Sequence, residues 1–226
     1  MTHKYLLSDA VSFNFVHCEK KRGFYFFYKR LFDIFFSLLV LIFLAPLFLI
    51  IYIAIRCSSS GNPIYSQKRF GQGGKIFTCY KFRTMYLDAE TRLEKMLSLN
   101  FELKAEWEEN QKLKDDPRIF SFGHILRKFS LDEFPQFWNV LKGDLSVVGP
   151  RPYMLSQGRE LATRAEKILS IRPGITGLWQ TSGRSRTTFK ERLQLDAAYV
   201  DCQSFGFDLK LIAKTILQML FSKDAC

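Results

Sequence analysis

From Ile34 to Ile55 the chain reads IFFSLLVLIFLAPLFLIIYIAI, 22 residues without a charge. As an unbroken helix this run would measure about 33 Å, enough to cross the hydrocarbon core of a bilayer. Pro46, near its middle, removes a backbone hydrogen bond and its ring collides with the preceding turn, so a kink is expected at Ala45-Pro46. Both flanks are basic. Lys20, Lys21, Arg22, Lys29 and Arg30 precede the run, and Arg56, Lys68, Arg69, Lys75, Lys81 and Arg83 follow it, with no acidic residue between Arg56 and Asp88. The preference of Lys and Arg for the cytoplasmic side would hold both ends there. Two arrangements stay open on these residues: a plain span with an outer N-terminal tail, or a re-entrant helix that bends and returns. A cleaved signal fits poorly, because the run is too long and basic residues stand where a small-residue cleavage site should be. The preceding GFYFFYKRLF has the character of an interfacial anchor.

The 226 residues are enough for one domain and an accessory segment. Lys and Arg outnumber Asp and Glu by 33 to 22, a net +11. That excess suits nucleic acid, an anionic membrane face or phosphorylated small molecules, and does not choose among them. A soluble nucleic-acid-binding protein is disfavoured by the uncharged run. Cys18, Cys57, Cys79, Cys202 and Cys226 form no paired motif and have no histidine at ligand spacing. Reduced thiols are therefore expected, rather than a zinc site or a disulfide framework. His3, His17 and His124 are isolated, and His124 reads as a loop or cap residue rather than a base.

Beyond the apolar run, two β-like stretches flank Gly71-Gln72-Gly73-Gly74 and predict a hairpin. The glycines read as a turn rather than a phosphate loop, since no strand-loop-helix context surrounds them. Residues 88–114 alternate charges with apolar residues at helical spacing, giving one or two solvated helices that stop at Asp115-Asp116-Pro117. Helical patterns return at Phe134–Leu141, Met154–Ser170, Thr188–Val200 and Leu209–Phe221, the last amphipathic enough to lie on a membrane.

In this basic chain, two carboxylates stand side by side in SLDEFPQFWNVLKGDLSVVGPRP, Asp132 and Glu133. One reading is a capping box, with Ser130 capping a helix and Glu133 reaching back to the Ser130 backbone. The other is chemical. Arg127 and Lys128 lie upstream, Lys142 and Arg151 downstream, and Arg172, Arg184 and Arg186 fall in IRPGITGLWQTSGRSR. Two prolines fix the backbone around Arg151, lowering the entropy lost when its fork grips an anion. Carboxylates beside rigid arginines suit phosphate chemistry, with a divalent metal bridging carboxylate and phosphate and one carboxylate serving as nucleophile or base. Alternatively, Arg151 is a structural clamp on the protein's own carboxylates.

The motifs KRLFDIFFSLLVLIFLAPLFLI, YKFRTM, LRKFSLDEFPQFWNVLKGDLSVVGPRP, RPGITGLWQTSGRS and LDAAYV occur in this order, within a resemblance over about residues 29–221. Together they resemble the bacterial sugar transferase family, the monotopic polyprenyl-phosphate phosphoglycosyl transferases. The resemblance implies an α+β, mainly helical fold: an N-terminal extension (1–28), a re-entrant membrane helix (29–56) and a catalytic domain (57–226) with a small β-hairpin and interfacial helices. It implies an enzyme of the bacterial inner membrane, facing the cytoplasm, that moves a sugar 1-phosphate from a UDP-sugar to undecaprenyl phosphate and releases UMP. It further implies Asp132 and Glu133 as the catalytic dyad, Asp132 also holding Mg2+, and Lys81, Arg127 and Arg151 as phosphate contacts. Arg184 is expected on the nucleotide side. The segment NFELKAEWEENQKLKDDPRI resembles the galactose phosphotransferases, so galactose leads, with glucose or an N-acetylated sugar as alternatives. Expected partners are the bilayer, downstream glycosyltransferases and a second copy of the chain, without nucleic acid; an inactive membrane scaffold is the competing class. Two departures stand out. Ala45 replaces the serine that often precedes the bend proline. The larger galactose enzymes also carry spans and a domain where this chain has about 28 residues, so regulation through that region is expected to be missing.

Overall fold

The computed structural model describes residues 22–110, 113, 116–182 and 187–221. In chain order, α1 (Arg22–Phe43) and α2 (Ala45–Ser58) lead to a hairpin of β1 (Ile64–Phe70) and β2 (Ile76–Phe82). Next come α3 (Ala89–Leu99), α4 (Phe101–Asn110), α5 (Ser121–Lys128), α6 (Gln136–Lys142) and the short strand β3 (Ser146–Val148). The single-turn helices α7 (Gly158–Leu161) and α8 (Ala165–Ile168), strand β4 (Gly174–Thr176), α9 (Leu178–Thr181), α10 (Phe189–Cys202) and α11 (Phe205–Phe221) complete it. The fold is mainly helical with little strand, as expected.

The break between α1 and α2 falls at Leu44, with a bend of 61°. Pro46 thereby enters the first turn of α2, where its missing N–H would have had no helical partner anyway. The bend thus lies just before the proline, because proline opens a helix more easily than it interrupts one. Among the described residues no single helix is long and apolar enough to cross a membrane; the bent pair together reaches that mark by length and composition only. Phe24, Phe27, Phe35, Ile42 and Phe43 on α1, and Leu49, Ile50 and Ile53 on α2, leave a density of exposed apolar surface unusual for a soluble protein.

The chain forms two compact units. In the first (described residues within 22–43, 66–80 and 136–221), α1 packs on α6 and buries a polar stripe at helical spacing: Lys29, Asp33 and Ser37. Lys29 Nζ sits 2.5 Å from Asp208 Oδ2, and Tyr25 and Tyr199 donate to the same carboxylate. Arg30 donates to the Val140 and Leu141 carbonyls, and Asp33 accepts from the Val147 N–H. Lys29 and Arg30 are therefore internal ligands of the fold rather than free charges of a membrane flank. Strands β3 and β4, which no periodicity announces, pair in parallel in Ser146–Gly174 and Val148–Thr176 register. The single helix expected over Met154–Ser170 is instead a series of one-turn pieces around a core of Tyr153, Leu161, Ile168, Leu193 and Ala197.

In the second unit (described residues within 44–65 and 81–135), Ile51 and Ile55 of α2 join Phe82, Phe120 and Leu126 in one core. Of the one or two helices expected over residues 88–114, two form, α3 and α4. His124 lies exposed within α5, on a helix and not at the loop or cap its isolation suggested.

Candidate active site

Asp132 and Glu133 lie on a single 3-10 turn, Leu131–Glu133, which follows α5 in the second unit. The capping box does not form. Ser130 has left-handed backbone (φ 53°, ψ 24°) and its hydroxyl caps nothing, since an N-cap needs extended backbone to aim its oxygen along the helix. It is the one non-glycine residue with positive φ among those described, and so small a polar residue there marks a turn held by its surroundings. Leu131 packs against the α2–α5 core. The carboxylates that follow are partly exposed.

Glu133 pairs with Lys81, Nζ to Oε1 2.5 Å. Lys81 stands at the end of β2, and each of the next three residues has its own task. Phe82 enters the core and stacks edge-on with Phe48 of α2. Buried Arg83 donates to the Ser59 hydroxyl and carbonyl, clamping the last turn of α2. Thr84 Oγ1 accepts from Arg127 Nε at 2.9 Å. The motif YKFRTM thus ties the apolar helix α2 to two cations beside the dyad. Gly123 lets α5 approach closely: a Cβ there would lie 2.3 Å from the Thr84 carbonyl oxygen.

Burial, and then the neighbouring Glu133 charge, push the Asp132 carboxyl up to about 6, with Lys81 and Arg127 pulling the other way. The structure thus brings together Lys81, Arg127, Asp132 and Glu133. Among the described residues no group of three or more His, Cys, Asp or Glu side chains forms a metal cage.

Arg151 belongs to the first unit. There GPRP and RPGITG interlock through glycines: a Cβ on Gly174 would come 2.1 Å from the Gly149 nitrogen, and one on Gly177 2.1 Å from its oxygen. The buried carboxylate Asp196 accepts from the Arg151 N–H and from the Tyr153 hydroxyl. Burial raises it to about 7 despite these bonds. The Arg151 backbone N–H, not its guanidinium, bonds Asp196, at Oδ2, so the side-chain clamp considered from sequence is not what forms. The guanidinium carbon lies 4.9 Å from the centre of the Trp179 indole, and that of Arg192 lies 4.8 Å from the same ring. Arg184 falls outside the described residues. Thr84, Trp179 and Arg192 escaped the sequence reading. Thr84 could have been found from its place in YKFRTM, but nothing in KERLQLD marks Arg192 from any other helical arginine.

Comparison with known proteins adds an independent line. The chain is 42% identical over 190 residues to the undecaprenyl-phosphate galactose phosphotransferase of Salmonella typhimurium, covering 84% of this chain and 40% of that protein. It is 40% identical over 197 residues to the exopolysaccharide production protein ExoY of Sinorhizobium fredii, covering 87% of each. It is 35% identical over 206 residues to the UDP-glucose:undecaprenyl-phosphate glucose-1-phosphate transferase of Klebsiella pneumoniae, 88% of this chain and 41% of that protein. The chain thus spans about two fifths of the Salmonella and Klebsiella relatives. The profile described as bacterial sugar transferase matches residues 24–222, nearly all of the motifs and both units, and the chain belongs to that family.

Proposed function

We propose that the protein transfers a hexose 1-phosphate from a UDP-sugar to undecaprenyl phosphate, releasing UMP, at the cytoplasmic face of a bacterial inner membrane. The observation that carries this reading is a carboxyl group held near pKa 6 beside a second carboxylate and two cations, in a chain of this family. Galactose 1-phosphate is the leading group, from the name of the Salmonella relative; the Klebsiella relative's name keeps glucose 1-phosphate as the second reading.

Asp132 is the nucleophile. A carboxylate oxygen attacks the β-phosphorus, forming a carboxyl–phosphate anhydride as the bond to the bridging oxygen breaks, and UMP departs with that oxygen. A phosphate oxygen of undecaprenyl phosphate then attacks the same phosphorus and frees Asp132. Glu133 accepts the proton when the acceptor enters singly protonated. Lys81 orients Glu133 by their ion pair, Arg127 balances charge beside Asp132, and Arg151 contacts phosphate. Arg184 is assigned to the nucleotide side by resemblance alone.

The donor set suits magnesium, which usually takes one or two carboxylates plus substrate phosphates rather than an all-protein cage. Asp132 would hold it, its carboxyl being one that a nearby cation would help ionise. Bound there, Mg2+ would offset the charge of the diphosphate. The bent pair α1–α2 is assigned to a re-entrant anchor with both ends cytoplasmic. The test is a panel of UDP-sugars offered with undecaprenyl phosphate and magnesium. UMP release from UDP-galactose or UDP-glucose is expected, and no release from any member would overturn the reading.

A further inference from the structure

Two arginines of the first unit share one aromatic ring in a way that internal packing does not explain. Arg151 follows β3 between two prolines, and Arg192 lies in the first turns of α10. Both guanidinium carbons stand within 5 Å of the Trp179 ring centre, and the ring itself is buried and anchored by its N–H to Thr187 Oγ1 at 2.6 Å. A guanidinium held over an aromatic ring is attracted by the ring without spending its N–H donors on it. Arg192 spends only Nε, on the Thr187 carbonyl at 3.1 Å. Among the described residues neither arginine is in an ion pair; the nearby buried carboxylate Asp196 takes the Arg151 backbone N–H and leaves both guanidinium groups unpaired. Burial first, and then the neighbouring Arg151 charge, lower the pKa of Arg192, and an anion would relieve that second, repulsive part.

We infer that Arg151 and Arg192, splayed over Trp179, form a phosphate-binding pair in which Arg192 is a binding residue in its own right. Two planar forks with fixed stems suit a phosphate or diphosphate group, each edge taking two oxygens. The inference rests on the proposed transferase reading only for which molecule brings the phosphate. The pair itself follows from the geometry around the indole.

Full-length protein in nanodiscs, carrying Trp107→Phe and Trp138→Phe, keeps Trp179 as its one tryptophan. Inorganic diphosphate should change its emission saturably, beyond the effect of chloride at equal ionic strength. Arg192→Gln should raise the half-saturating concentration about tenfold or more. Arg192→Lys, which keeps the charge but not the fork, should fall between, with its thermal midpoint near wild type. UMP competing with diphosphate assigns the pair to the nucleotide donor, whereas competition only by phosphatidic acid in the nanodisc assigns it to a lipid phosphate. Either supports the pair. An unresponsive Trp179, or an Arg192→Gln titration that matches wild type, overturns it. UMP release from UDP-sugars is measured in parallel. Its absence with a saturable Trp179 response defeats the transferase reading alone; its presence with unresponsive Trp179 defeats the pair alone.

Discussion

Lys81 and Glu133, 52 positions apart, meet at 2.5 Å, so that the end of a hairpin strand holds one member of the carboxylate dyad. Lys81 also draws the Asp132 carboxyl downward against burial and the Glu133 charge. Lys81→Met removes both effects. Maximal UMP release should fall by about tenfold or more, consistent with losing one charge-assisted hydrogen bond of roughly 1.5–3 kcal/mol. Steady-state UMP release at saturating UDP-sugar measures it, and unchanged turnover would make Lys81 peripheral.

The raised Asp132 pKa gives a pH expectation with a definite sign. The carboxyl keeps its proton to about pH 6 in the folded protein, above its ordinary value of 3.8. Ionising Asp132 therefore costs folding stability as pH rises through that window. In metal-free protein, carbodiimide labelling of the peptide holding Asp132 should persist to near pH 6 and then fade. Lys81→Met should move the fade higher. Labelling that ends near pH 4 in both would contradict the assignment.

Gly123→Ala tests the closeness of α5 to YKFRTM. Its new methyl would meet the Thr84 carbonyl at 2.3 Å, so backbone must shift. Overpacking of this kind costs about 1–3 kcal/mol. A lower thermal midpoint together with weakened UMP release is expected, because Arg127 is held by the neighbouring Thr84 hydroxyl. An unchanged midpoint would mean that α5 is free to move away.

The sequence made some of this legible and hid the rest for physical reasons. The Gly-rich turn located the hairpin, and apolar residues recurring at helical spacing located α3, α4, α10 and α11. Neither signal could find β3 and β4, three residues each, whose pairing depends on glycines 149 and 174 meeting across 25 positions. A basic flank and an internal ligand look alike in a sequence, so Lys29 and Arg30 passed for membrane-facing charges until Asp208 and the α6 carbonyls were seen against them. S-x-x-E matched a capping box, yet the left-handed Ser130 turned the motif to another use. Adjacent acids amid arginines left a capping box and phosphate chemistry both open; the resemblance chose the dyad and named Lys81 as a phosphate contact, but its ion pair with Glu133 had no local signal. The Arg192–Trp179 stack joins α9 to α10 and likewise needed coordinates.

The bend at Leu44 and the exposed apolar faces of α1 and α2 carry the topology proposal. Cys18 and the exposed Cys57 flank the apolar run and serve as native reporters once the other cysteines are replaced by serine. Both should react with an impermeant maleimide from the cytoplasmic side only. Periplasmic labelling of either would sink the re-entrant arrangement. Pro46→Ala should let some molecules straighten and expose one reporter on the far side.

The most direct measurement of the central claim is intact-protein mass spectrometry after mixing the protein with its UDP-sugar and magnesium, without undecaprenyl phosphate. Wild type should gain the mass of one sugar phosphate, mapped by fragmentation to Asp132. Asp132→Asn should gain nothing and release no UMP, since an amide cannot displace it. Glu133→Gln should form the adduct and then hold it when undecaprenyl phosphate is added, as loss of a general base costs about 10²–10⁴-fold. An adduct on Glu133 would reverse the two roles. Full turnover by Asp132→Asn with no adduct anywhere would contradict covalent transfer outright.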